Sequence, residues 1–370
     1  MMDMTATPSN DTNTSGVCEE NGFFNDTYDD LRRSLNIMSV VIYSLAFILG
    51  VLGNGVVIWV TGFKMKKTVN TVWILNLAVA DFLFTAFLPF SVIYIALDFH
   101  WPFGKFMCKL DNTVRYLNIF VSVYFLVVIS VDRCVSVVWP VWAQNHRSVR
   151  KASCVSLGVW VLGLILSLPS FIFRDIGPSY DDKNILNCYD NYAFSDGDDE
   201  TQPEIELGLL RFKAMTIISF PLFFAVPFTV IVSCYAVIIH RLRRNRTRAS
   251  RSNRPFKIIA AVITVFCLCR APFYIMTLIE LWYHIGNMSS VLELVITIGV
   301  PLATCLAYLN SCLNPLLYVF IVKDIKDKVC ESILNVFETA FREEVSHSHT
   351  DTKSVDTSQR LDESVLNTQV

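Results

Sequence analysis

The stretch VISVDRCVSV, residues 128–137, sets an aspartate and an arginine side by side inside an apolar run that continues back to Tyr116. An ionisable side chain at the centre of a membrane-spanning helix costs on the order of 2.5–3.5 kcal/mol even on lenient insertion scales. Two adjacent charges therefore need a reason that packing alone does not supply.

The composition around this stretch is that of a membrane protein. Apolar residues make up 53% of the 370-residue chain and charged residues only 17%, against roughly 25% charged in soluble domains. The apolar residues form long blocks, and charge is confined between the blocks and at the two ends. A helix needs about 20 apolar residues to cross the hydrocarbon. Seven candidates meet that length, near 37–62, 72–97, 105–138, 152–173, 212–240, 255–283 and 290–320.

Lysine and arginine set the expected orientation. Lys64, Lys66 and Lys67 follow the first span, Arg147, Arg150 and Lys151 the third, and the Arg241–Arg254 cluster the fifth. These loops are expected in the cytoplasm. The N-terminus, the acidic segment from Asp175 to Glu206 and the loop after span six are then outside. Sequons at Asn10, Asn13, Asn25 and Asn287 all fall on that outer side, while the match at Asn245 falls in the basic loop. The flanking apolar spans make a membrane-proximal loop, rather than a nucleic-acid surface, the reading of the basic run.

The expected organisation has four parts: a glycosylated acidic outer segment (1–36), a seven-span domain (37–322), an amphipathic membrane-surface helix (323–342) and a Ser/Thr-rich cytoplasmic tail (343–370). The first segment is too polar for a signal peptide, which leaves span one as an uncleaved signal-anchor. The tail cannot bury a core and suits phosphorylation. Cys330, in the amphipathic segment, reads equally as a palmitoylation site or a plain thiol. Tyr28, among the acids of NDTYDD, has a sulfation context, with an unmodified tyrosine as the plainer reading.

Seven helices alone would fit a receptor, a pump, a transporter half or an intramembrane enzyme. A retinal pump needs a Schiff-base lysine in span seven, and 290–322 has none. No HExxH or GxSxG occurs, the only closely spaced histidines, His347 and His349, lie in the tail, and Cys267-Leu-Cys269 reads as core in preference to a metal or redox pair, so no enzyme or metal site is expected. Nor is there the internal repeat expected of a transporter. Most of the eleven cysteines lie inside apolar blocks as small hydrophobes; only Cys18, Cys108 and Cys188 fall where an oxidising compartment reaches them.

What remains is a set of polar residues spread one or a few per span: Asn54, Asp81, Asn118 with Ser122, and Asn310, Ser311 and Asn314. Across 37–325 these positions resemble the landmarks of the rhodopsin-like (class A) G-protein-coupled receptors. The matching residues are Gly53-Asn54, Leu77-Ala78-Val79-Ala80-Asp81, Cys108 with Asp132-Arg133-Cys134, Trp160, Pro227 with Tyr235, Cys269 with Pro272, and Asn314-Pro315-Leu316-Leu317-Tyr318. Loop stretches such as FHWPFG (99–104) and PVWAQNHRSVR (140–150) resemble the chemoattractant branch, nearest its chemerin-receptor group, with formyl-peptide and complement anaphylatoxin receptors looser.

The resemblance implies an all-α seven-helix bundle and no enzymatic activity. It places Asp132-Arg133 where span three meets the cytoplasm. The arginine is there held by its neighbouring carboxylate, then released towards Tyr235, Tyr318 and a G protein, with Phe266, Arg270, Pro272 and Pro315 in the switch. It pairs Cys108 with Cys188. It makes Asp81, Asn118, Ser122, Asn310 and Asn314 a sodium pocket, beside Asn54.

Arg270, however, stands where the family carries tryptophan. It could pair with Asp81 in place of sodium, or snorkel, or mark a sequence error. The implied ligand pocket comprises Arg174 and Glu280, with Asn112, Arg115, Tyr116 and Tyr308 as weaker members and Ser219 at a position that often holds arginine. Span three offers Arg115 and Tyr116 where amine receptors have aspartate, which argues for a peptide carboxylate. The acidic outer rim would attract a cationic peptide or protein. The implied partners are thus a chemerin-like chemoattractant, an inhibitory-class G protein, receptor kinases, arrestin and membrane lipid. The alternatives are an arrestin-biased or scavenging receptor, or one for a formyl peptide or another leukocyte chemoattractant.

Overall fold

The computed structural model describes residues 18–179, 182–194, 202–244, 254–286 and 289–321, together with Asp327; the side chains of 18–27, 242, 254–263 and 317–321 are not among them. The helices are α1 (Cys18–Trp59), α2 (Val69–Ala96), α3 (Gly104–Val138), α4 (Pro140–His146), α5 (Val149–Phe173), α6 (Gln202–Phe220), α7 (Val226–Arg244), α8 (Arg254–His284) and α9 (Ser290–Ile321). With α6 and α7 counted as one span, seven are long and apolar enough to cross a membrane. The protein is an all-α bundle spanning a membrane seven times. Its one sheet among the described residues is a hairpin of β1 (Arg174–Pro178) and β2 (Leu186–Asp190), in antiparallel register with Ile176 opposite Cys188. The hairpin marks one end of the bundle; Lys64, Asp132, Arg150 and Arg241 mark the other.

Helix boundaries follow local chemistry. The Thr68 hydroxyl accepts the Thr71 amide at the start of α2, and the Thr71 hydroxyl accepts the Thr68 amide in return, a reciprocal cap. Ser148 caps α5 through the Lys151 amide. α1 starts well before residue 37, at Cys18, because helical hydrogen bonding can continue beyond the apolar residues that sit in lipid. The fifth span contains a wide turn over Pro221–Ala225, closed by the Val226 amide on the Pro221 carbonyl. Pro227 lacks an amide and crowds the preceding turn, a local cause for that widening.

Lipid tails are as apolar as leucine, so packing and polar contacts, rather than expulsion from water, hold such helices together. The central cluster includes Trp73, Phe120, Phe125, Phe223, Ile231 and Phe266, all buried. Small residues let backbones approach. A Cβ on Gly50 would lie 2.4 Å from Thr85 Cγ2, and one on Gly163 would lie 2.8 Å from Val121 Cγ2. At the hairpin end, Trp101 seals the top of α3. Its indole donates to the Gly104 carbonyl, its amide bonds the Leu186 carbonyl in β2, and Phe90, Tyr94 and Phe103 pack around its ring.

Candidate functional site

The polar residues of four spans converge at mid-bundle around Asp81, which is fully buried. Its Oδ1 accepts Asn118 Nδ2 at 3.0 Å and Ser122 Oγ at 3.1 Å, and its Oδ2 accepts Asn314 Nδ2 at 2.8 Å. Burying a carboxylate is costly unless it is hydrogen-bonded, and three donors here meet that need. Asn118 Oδ1 faces Ser311 Oγ at 3.5 Å and Arg270 Nη2 at 3.4 Å. Arg270 is 2% exposed, so it points into the bundle instead of snorkelling. It reaches Asp81 through Asn118; among the described residues no direct Arg270–Asp81 ion pair forms.

Asn54 ties α1 to α9, its Nδ2 donating to the Ser311 carbonyl at 3.0 Å. Asn310 is equally buried, with neither side-chain polar atom satisfied among the described residues. Phe266 lies fully buried one turn from Arg270, and Pro272 and Pro315 sit inside α8 and α9.

At the basic end the geometry differs from the pairing expected within Asp132-Arg133. The Asp132 carboxylate is taken by Arg147, just beyond α4, with Nε–Oδ1 at 2.7 Å and Nη2–Oδ2 at 2.9 Å. Arg147 Nη2 also bonds Asn70 Oδ1 at the start of α2. Adjacent residues on a helix diverge by about 100°, so Arg133 cannot share the face that Asp132 presents to Arg147. The Tyr235 hydroxyl is buried and without a partner among the described residues. Tyr318 lies on α9, its side chain outside those described.

At the hairpin end the Cys108–Cys188 disulfide is present, joining α3 to β2 with Cα atoms 5.9 Å apart. Arg174 braces it: the guanidinium pairs with Asp190 at 3.1 Å and donates to the Cys188 carbonyl at 2.9 Å. Burial by itself would raise the Asp190 acid, but the positive charges around it, Arg174 foremost with Arg115 further off, together outweigh it and hold the carboxyl below its usual range. Tyr192 is pushed far up, first by burial and then by the charge of Asp190; Tyr116, Arg174 and Glu280 are also close enough to act on it. Three of the expected pocket residues, Arg174 in β1, Tyr116 on α3 and Glu280 on α8, therefore lie within electrostatic reach of Tyr192.

Arg115 is engaged more deeply. It donates to Asp111 Oδ2 at 2.9 Å, to Ser91 Oγ at 3.1 Å and to the Tyr308 hydroxyl, and its charge lies 5.4 Å from the Tyr308 ring. Asn112 is turned to Ser170 Oγ at 2.8 Å, tying α3 to α5. Ser219 is half-buried near the end of α6.

Tyr28, read for sulfation, places its hydroxyl 2.6 Å from Thr297 Oγ1 on α9. Asn25 falls on α1, and Asn10, Asn13, Asn287, Cys330 and the 323–342 and 343–370 segments, Asp327 apart, lie outside the described residues. Asp111 was overlooked in the sequence, although an acid four residues before Arg115 on a helix is itself a pairing signal. Arg147 and Asn70 carried no such local signal.

The family model for the rhodopsin-family seven-transmembrane receptors matches residues 53–318. The chain belongs to that family. It is a receptor of the rhodopsin family and not an enzyme. Among similar curated proteins, Chemerin-like receptor 1 of Homo sapiens is 44% identical over 320 residues, covering 85% of this chain and 83% of its own. The C3a anaphylatoxin chemotactic receptor of Oncorhynchus mykiss is 42% identical over 339 residues (89% and 88%), and N-formyl peptide receptor 3 of Pan troglodytes 37% over 329 (86% and 91%). This rhodopsin-family chain is thus of the chemoattractant-receptor type. Its landmark residues meet across the spans as described: Asp81 with Asn118 and Asn314, and Cys108 with Cys188.

Proposed function

We propose that this protein is a cell-surface receptor for a chemoattractant peptide or protein of the chemerin type. The hairpin end faces outward, and the basic end couples to an inhibitory-class G protein. The observation that carries this reading is identity of 42–45% over at least 85% of the chain, loops included, to receptors whose names specify chemerin and C3a. The geometry supports the ligand class. The carboxylate of α3 nearest the expected pocket, Asp111, is paired with Arg115 and so is not free to receive an amine. Arg115 and Arg174, held here by Asp111 and Asp190, are with Tyr116 the donors that a peptide carboxylate would engage by displacing those partners.

On binding, the spans rearrange at the basic end, where Arg133, Tyr235 and Tyr318 receive the G protein. Receptor kinases then phosphorylate the Ser/Thr tail and arrestin follows; each phosphate adds roughly −1.5 to −2 charges. Lys64–Lys67 and the Arg241–Arg254 cluster hold this end on the cytoplasmic side.

The test is agonist-driven nucleotide exchange on purified inhibitory G protein, with a panel of chemoattractant peptides and the receptor in lipid nanodiscs. Exchange stimulated by a chemerin-type peptide, and lost in Arg133→Gln, is the expected result. An arrestin response with no exchange for any peptide would overturn the coupling assignment, and exchange driven only by small amines would overturn the ligand class.

A further inference from the structure

The buried cation at mid-bundle has a consequence for ions. A hard monovalent cation such as sodium is held by oxygen lone pairs, several of which must converge on one point. Around Asp81 those lone pairs face proton donors. Both carboxylate oxygens accept from Asn118, Ser122 and Asn314. Ser122 Oγ itself accepts a second Asn118 contact at 3.0 Å, and Asn118 Oδ1 is turned to Ser311 and Arg270. The site also already contains a positive charge.

Arg270 is buried on α8, with its Nη2 one side chain removed from Asp81 and its Nε unpaired among the described residues. At 3.4 Å the contact to Asn118 is a weak hydrogen bond, so the guanidinium acts on Asp81 chiefly through its charge. A second cation beside the carboxylate would meet that charge in a medium that screens it poorly. The residues present do not fit sodium.

We propose that Arg270 is a resident cation that replaces sodium as the counter-charge of Asp81, carried on α8 and relayed through Asn118 of α3. The charge cannot dissociate. The equilibrium between the conformations of the bundle is therefore indifferent to sodium, and the Asp81–Asn118–Arg270 relay couples α2, α3 and α8 at all salt compositions. The proposal rests on the reading of the chain as a rhodopsin-family receptor, but it concerns only the ion chemistry of its core.

It is tested without ligand or G protein, by thermal unfolding of the purified receptor in sodium chloride against choline chloride, both at about 150 mM so that screening is equal. Wild type is expected to differ by less than about 1 °C between the two salts. Arg270→Trp, which restores the family's residue, should gain about 2–4 °C in sodium, as for a bound ligand at roughly ten times its Kd. Adding Asp81→Asn to that variant should abolish the gain. Arg270→Gln, closer in size, should show the same gain if the tryptophan cannot be housed, and Arg270→Lys should stay indifferent. Sodium stabilising the wild type as much as Arg270→Gln would overturn the proposal, as would no gain in either folded neutral variant. Failure of the nucleotide-exchange test leaves these melting temperatures untouched, so the two readings fail separately.

Discussion

Arg147 offers the sharpest test of how the basic end is held. It gives Asp132 two charge-assisted hydrogen bonds, at 2.7 and 2.9 Å, and its side chain is 30% exposed while that of Asp132 is 11% exposed. Two fully buried bonds of this kind would be worth about 3–6 kcal/mol together, and a surface pair at most about 1. Exposure close to a third on one partner places the coupling between these limits, on the order of 2 kcal/mol. Arg147→Ala also loses the bond to Asn70, so the single variant overstates the pair, and a double-mutant cycle with Asp132→Asn isolates it. In melting experiments on the purified receptor, each single variant should fall by about 2–4 °C. The double variant should fall no more than about 1 °C below the worse single one, because the interaction is lost only once. If the double variant falls by the sum of the two, Arg147 and Asp132 act independently and the clamp contributes nothing. Substituting Arg133 in place of Arg147 should give a smaller coupling with Asp132, because no hydrogen bond joins those two side chains among the described residues.

Two glycines on α5 should respond to alanine with opposite signs. At Gly158 a Cβ meets nothing within 4 Å, so Gly158→Ala should stabilise by about 0.5–1 kcal/mol. At Gly163 a Cβ would meet Val121, Phe120 and Leu117, and Gly163→Ala should cost about 1–3 kcal/mol; equal effects in a melting assay would refute the packing. At the end of β2, Asp190 is held below its usual range, so the stability it contributes is present at neutral pH and lost only as pH falls through that lowered pKa. Wild-type melting should show no Asp190 contribution to its slope between about pH 5 and 8. Arg174→Ala leaves a half-buried carboxylate without its ion pair, and its burial then pushes it up. This variant should be least stable at neutral pH, by about 2–4 kcal/mol, and should recover as the acid protonates on lowering the pH. A variant with no pH response would show that Arg174 does not control Asp190.

Much of the architecture was readable from the chain alone. A helix in lipid must satisfy its own backbone and present about 20 apolar residues. Each span therefore announces itself locally, and the observed helices α2, α3, α5, α8 and α9 fall within a few residues of the expected spans. The buried polar residues stood out for the same reason, since each is expensive wherever it faces hydrocarbon. Local pairing was also legible in principle: Asp111 and Arg115 are four residues apart on one helix face.

The tertiary structure decided which partner each of these groups meets. Arg147 and Asp132, Asn112 and Ser170, Arg270 and Asn118, and Tyr28 and Thr297 are separated by 15, 58, 152 and 269 residues respectively. Their contact depends on the rotation, tilt and depth of whole helices, which the apolar periodicity of a lipid-facing span barely encodes. Asp132 thus turned to Arg147 rather than to its neighbour, and Arg270 turned inward rather than towards a headgroup. The sequence by itself determined how many times the chain crosses and which polar groups it must hide. Close packing of one helix on another determined how those groups neutralise each other, because the cost of a buried charge is relieved only by whatever the fold brings within hydrogen-bonding reach.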